Sequence, residues 1–149
     1  MKLRNILIFP LLVASLQGAS VSDLTFTLNG DGTEYSVSDC DETAIGSLDI
    51  PSIYNELPVT SIEDRAFDRC SSLTSITIPN SVTLIRSYAF DSCTSLASIT
   101  IGDNVTSIGQ YAFQACSSLE SITIPDSVTS IGDYAFDGCS SLSSITIGN

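Results

Sequence analysis

Four segments of this chain are nearly the same sentence: "AFDRCSSLTSITIP" from Ala66, "AFDSCTSLASITIG" from Ala89, "AFQACSSLESITIP" from Ala112 and "AFDGCSSLSSITIG" from Ala135. The interval is 23 residues each time, and it aligns Phe67, Phe90, Phe113 and Phe136 as strictly as Cys70, Cys93, Cys116 and Cys139. One unit offers about eight apolar positions, among them Leu73, Ile76, Ile78, Val82, Ile85 and Phe90, too few to close a core of its own. Stacked unit on unit, each set covers its neighbour's, and a continuous interior forms.

Within a unit, "SLTSITIP" alternates, with Ile76 and Ile78 on one side and Ser75 and Thr77 on the other. That is the period of a short, half-buried strand. Pro79 or Gly102 ends it, "NSV" or "DNV" turns the chain, and Val82 and Ile85 re-enter the core as a second extended segment. "YAFDSCTSL" spaces its apolar residues as a helical or 3₁₀ turn would. Successive strands are expected to lie parallel and in register, ~4.8 Å apart.

The L-x-x-I-x-I spacing within a period of about 20–29 residues is the leucine-rich-repeat pattern. More narrowly, "SIGDYAFDGCSSLSSITI" resembles the BspA-like leucine-rich repeats, related to the Treponema pallidum type, and "IPSIYNELPVTSIEDRAF" (residues 50–67) looks like that family's entry into the array. The resemblance implies a secreted or surface-displayed protein, often associated with adhesion, and no enzymatic activity. The fold expected is a mainly β leucine-rich-repeat solenoid with 23-residue coils.

The ends depart from the repeat. Residues 1–19 read as a secretory signal peptide: Lys2 and Arg4, an apolar run from Ile6 to Leu16, then small residues. The run is too short for a membrane span, which needs roughly 20 residues. Residues 20–44 hold "TFTLNGDGTEYSV", alternating around Asn29-Gly30-Asp31-Gly32, a hairpin signal read as a β-hairpin cap on the stack. Residues 45–149 form the array, about 4.5 repeats, in which five extra residues make the first coil bulge at "IYNEL". The sequence stops one strand into a fifth coil with no cap, leaving Leu142, Ile145 and Ile147 open on one side.

Charge narrows the partners. Beyond residue 19 only Arg65, Arg69 and Arg86 stand against all 17 acids, a formal −14. Such a chain repels phosphate backbones and anionic membranes, so neither nucleic acid nor membrane insertion is expected. With no His, no Lys after Lys2, and no phosphate loop, a Ser or Cys nucleophile lacks a base, and no catalytic residue and no cofactor is assigned.

The candidate binding surface is the outward strand face: Ser75, Ser98, Ser121 and Ser144 in one row, Thr77, Thr100, Thr123 and Thr146 in another. A leucine-rich repeat that recognises one protein needs distinctive anchors. A uniform hydroxyl lattice suits a repetitive target such as a polysaccharide or, remotely, ice; ordinary β-formers on a solvated strand is the plainer use. Tyr88, Tyr111 and Tyr134 form a possible aromatic ladder, for a sugar face, a protein, or simple packing with hydroxyls in water. Asn104-Val105-Thr106 is a glycosylation sequon. The thiol column reads as free buried cysteines, with bridging as the alternative and metal disfavoured because a linear stack converges on no point. Cys40 stands outside the register and makes the total odd. Scattered acids such as Asp103, Asp126 and Asp137 read as turn chemistry. The expectation is a non-catalytic extracellular module for a protein or polysaccharide. Its rival is a structural unit that self-associates through the uncapped C-terminal edge, or a fragment of a longer leucine-rich-repeat protein.

Overall fold

The computed structural model describes residues 18–148, so the expected signal peptide lies outside the described residues except for Gly18 and Ala19. The chain winds as a mainly β solenoid of about five turns. One wall carries β3 (Gly46–Asp49), β6 (Leu73–Thr77), β8 (Ser98–Thr100), β10 (Ser121–Ile124) and β12 (Ser144–Ile147). They pair parallel as β3-β6-β8 and β10-β12, with Ser75 opposite Ser98 and Thr123 opposite Thr146. A second wall carries β5 (Leu57–Ile62), β7 (Leu84–Ile85), β9 (Ser107–Ile108) and β11 (Ser130–Ile131), again parallel.

The first wall is not one unbroken sheet, because no regular ladder joins β8 to β10. The corner after these strands carries Pro51, Pro79, Gly102, Pro125 and Gly148 in register. Gly148 donates its N–H to Ile124 O at 2.9 Å, whereas Pro125 has no N–H to offer the coil before it. At Gly102 the coils press so close that a Cβ would sit 2.4 Å from Pro79 O. The ladder parts between the glycine coil and the proline coil that follows it.

The third side of each coil is a run of turns. Asp68 N–H returns to Arg65 O at 2.9 Å and Cys70 N–H to Phe67 O at 3.1 Å, the i→i+3 bonds of a 3₁₀ turn. No helix propagates there, because left-handed residues interrupt at two positions per coil: Arg65, Tyr88, Tyr111 and Tyr134 at one, Arg69, Ser92, Ala115 and Gly138 at the other. Each such non-glycine residue costs about 1–2 kcal/mol. Stacking holds it in place, since the same segments bond coil to coil: Phe67 N–H to Ala89 O at 2.7 Å, Ser92 N–H to Gln114 O at 2.8 Å.

Aliphatic, phenylalanine and thiol columns fill the interior. Phe67, Phe90 and Phe113 are fully buried, their ring centroids 4.9 and 5.1 Å apart, and Phe136 stacks below at 5.4 Å. Removing such a ring leaves a cavity that costs roughly 3–5 kcal/mol.

The cap is a hairpin of β1 (Leu24–Leu28) and β2 (Tyr35–Cys40), antiparallel to one another, with β2 continuing parallel onto β5. Asn29 Oδ1 accepts from Thr33 N at 2.8 Å and holds the loop, while Gly32 takes a left-handed φ of 76°. The bulge in the first coil is a second small hairpin: β4 (Ile53–Tyr54) pairs antiparallel with β5, and Asn55 and Glu56 both have positive φ, as a type I′ turn demands. Tyr54 stacks on Phe26 at 4.0 Å and meets Tyr35 edge-on at 5.1 Å, which fastens the bulge to the cap.

Candidate functional site

The outward strand residues stand where their alternation puts them. Thr77, Ser98, Thr100, Ser121, Thr123, Ser144 and Thr146 are exposed, and Ser75 is half-buried. The register extends one coil further toward the cap, through Ser47 opposite Ser75 and Asp49 opposite Thr77. The break between β8 and β10 interrupts this lattice. A cleft of about 310 Å³ opens there, lined by Ile99, Thr100, Ile101, Asp103, Thr123 and Pro125.

The tyrosines form a true stack. Tyr88 and Tyr111 lie 5.0 Å apart at 15°, Tyr111 and Tyr134 5.1 Å apart at 7°. Each ring covers its neighbour's face, and Arg65 covers the remaining face of Tyr88 with its guanidinium carbon 4.4 Å from the centroid, a cation–π contact. What Tyr88 and Tyr111 offer to solvent is edge and hydroxyl; only Tyr134, 63% exposed, has an open face. Burial, and then the neighbouring phenols of Tyr88 and Tyr134, raise the Tyr111 hydroxyl above its usual range. Arg65 is the first member of this row by register, one repeat before Tyr88. The change of residue type concealed it in the sequence.

The five cysteines are free thiols. Cys93 Sγ donates to Phe67 O at 3.1 Å, Cys116 to Phe90 O at 3.2 Å and Cys139 to Phe113 O at 3.1 Å, so each thiol ties one coil to the phenylalanine before it. Cys40 lies at the head of this column. It is buried, and Cys70 Sγ approaches Cys40 O at 3.7 Å. The inserted hairpin displaces Cys40 from the sequence period, but β2 brings it back in space. The bond with Cys70, and then burial, push the Cys40 thiol up. Cys116 receives a contrary pull from Cys139, which Cys93 and burial outweigh, so its thiol also stands high. Cys139 is raised by Cys116 and by burial. These are poor nucleophiles.

A second hydroxyl row, absent from the sequence reading, runs along the other wall. Thr83, Thr106 and Thr129 each donate Oγ1 to the threonine carbonyl one coil earlier, at 3.2, 3.1 and 3.2 Å. It could have been found as a threonine row preceding the second strand. Asn104 is exposed in its turn, with its side-chain amide donating to Asn80 O at 2.7 Å. Asp103 N–H donates to Asn80 Oδ1 at 2.9 Å, so the Asn80 and Asp103 positions serve the turn. Asp31 and Asp41 sit below the usual carboxylate range because Thr33 and Thr43 donate to them. Among the described residues no group of three or more His, Cys, Asp or Glu is placed to hold a metal ion, and no helix is long and apolar enough to cross a membrane.

This geometry, parallel strands repeating every 23 residues around a stacked interior, defines a leucine-rich-repeat solenoid. The profile of the BspA type leucine rich repeat region matches residues 39–149 in six copies, and the chain belongs to that family. A leucine-rich repeat protein from Bacteroides capillosus is 33% identical, with 87% of this chain and 96% of that one aligned at a TM-score of 0.75. The Treponema pallidum leucine rich repeat protein is 28% identical over 87% of this chain and 71% of its own, at 0.68. A leucine rich cell surface protein from Faecalibacterium prausnitzii is 32% identical over 85% of this chain and 41% of its own, at 0.60. Comparison with curated proteins returns no match.

Proposed function

We propose that this chain is a non-catalytic interaction module, secreted or held at the cell surface, that presents its hydroxyl-bearing strand wall to an extracellular protein or glycan in an adhesive role. The supporting observation is the wall itself: a row of serines and a row of threonines, displayed in strand register, with no internal task in the fold. Family membership and the cell surface relative from Faecalibacterium prausnitzii support the location. The parting between β8 and β10 counts against the ice-binding alternative, since a flat lattice must be continuous. The test is adherence of the immobilised protein to extracellular matrix proteins and cell-surface glycans. The paired substitution Thr100→Lys with Thr123→Lys should lower binding at least tenfold; equal binding by the pair rejects the wall as the contact surface.

A second reading, self-association through the last coil, has its own observation. Ile131, Tyr134, Ile145 and Ile147 are 42%, 63%, 45% and 67% exposed, a run of apolar surface unusual for a solvated face. Light scattering over a concentration series checks it, and a constant monomer mass rejects it.

A further inference from the structure

The repeat loses its uniformity where the cap meets the array. Glu63, Arg86, Gly109 and Gly132 occupy one register position. In the later coils a Cβ there would strike the preceding coil's backbone at 2.5 and 2.4 Å, so glycine fits. In the first two coils the same position carries an acid and a base. Arg86 Nε donates to Glu63 Oε2 at 3.0 Å, and Ser61, only 9% exposed, donates to Glu63 Oε1 at 2.8 Å. Both Glu63 oxygens are therefore fixed. Arg86 is held by Nε, and no acid other than Glu63 pairs with it among the described residues.

Beside this pair the cap hairpin and β5 bound a groove of about 300 Å³, where Thr27, Asn29, Glu34, Ser36 and Thr60 join Glu63 and Arg86. The volume lies at the lower end of ligand sites. Glu34 pairs with no cation among the described residues. The groove holds hydroxyls, an amide, an oriented guanidinium and a free carboxylate, all of different chemistry. The strand wall repeats two side chains.

We propose that the cap groove is a saccharide subsite, in which the Arg86 amino groups donate to adjacent sugar hydroxyls and the Glu34 carboxylate accepts from others. The proposal rests on the reading of the chain as an outward-facing binding module, and it assigns selectivity to the cap. An anionic ligand is disfavoured by two carboxylates in the groove and by 17 acids against three arginines beyond residue 19. An apolar ligand would strand the Glu34 carboxylate against a dry surface with no partner. A neutral sugar satisfies donors and acceptors alike, and a site built on such bonds rejects analogues that lack the hydroxyl.

The experiment screens the full chain on an array of neutral glycans, then titrates the best free oligosaccharide and the polysaccharide containing it. Binding should fall at least tenfold in Arg86→Met and in Glu34→Gln. Glu34 holds no ion pair, so its variant keeps the test valid if Arg86→Met loosens the fold, which thermal melting reports. Tighter binding of the free oligosaccharide identifies chain ends as the natural form; tighter binding of the polymer identifies internal units. Both support the subsite. A blank array overturns it while leaving a protein-binding wall intact. Undiminished binding in both variants also overturns it.

Discussion

Ile122 and Ile145 stand in one row, and Ile124 and Ile147 in another; the first of each pair is 3% and 1% exposed, the second 45% and 67%. The side chains and their strands are the same. Among the described residues, a further coil lies against the first of each pair and none against the second. At the opposite end, where β2 lies on β5 and Cys40 covers Cys70, the first coil is as dry as the middle ones: Phe67, Cys70 and Leu73 are fully buried. No coil owns a core. Each borrows half of it, and the hairpin cap lends what a preceding coil would have lent.

The largest test of that difference is truncation of the phenylalanine column. Phe113→Ala opens a cavity at a fully buried ring and should lower unfolding free energy by about 3–5 kcal/mol. Phe136→Ala, at a ring already half-exposed, should lose about half as much. Chemical denaturation measures both, and equal losses would mean that the last coil is covered in solution.

The thiol column gives the next effect. Cys40, Cys116 and Cys139 are raised in the folded state from an ordinary 9.0. A thiol that holds its proton when folded and releases it when unfolded stabilises the fold fully below pH 9 and progressively less above it. Cys116 alone should remove up to about 1.4 kcal/mol per pH unit there. Thermal melts between pH 7 and pH 11 should show the decline, and Cys116→Ala should flatten it. Iodoacetamide should label Cys139, which is partly exposed, before Cys116.

The smallest concerns the left-handed corner. Ala115→Gly should add about 1 kcal/mol by relieving a φ of 54°. Gly138→Ala, one coil on, should lose a similar amount, because its φ is 74° and the new Cβ would lie 3.3 Å from Ala115 Cα. A neutral result at both positions would show that stacking holds this corner without strain.

The sequence made the array legible because each column is written at a fixed interval, and a column is what packing requires. It hid whatever the interval does not carry. Cys40 falls out of period because the first coil is longer than the others, yet it completes the thiol column in space. Arg65 belongs to the tyrosine row under another side chain. The parting between β8 and β10 is not written in the sequence, since Pro79 stands at the same corner as Pro125 and β6 still pairs with β3. The strand wall was readable as a candidate surface by alternation alone. The cap groove was not, since Glu34, Glu63 and Arg86 come from separate elements and repeat nowhere.

The left-handed residues shared by the coils carry a consequence for how such a chain lengthens. Each coil turns at the same two backbone positions whatever side chain stands there, Arg65 or Tyr88 at one, Ala115 or Gly138 at the other. A duplicated coil would bring its own corners with it and leave the path of its neighbours unchanged.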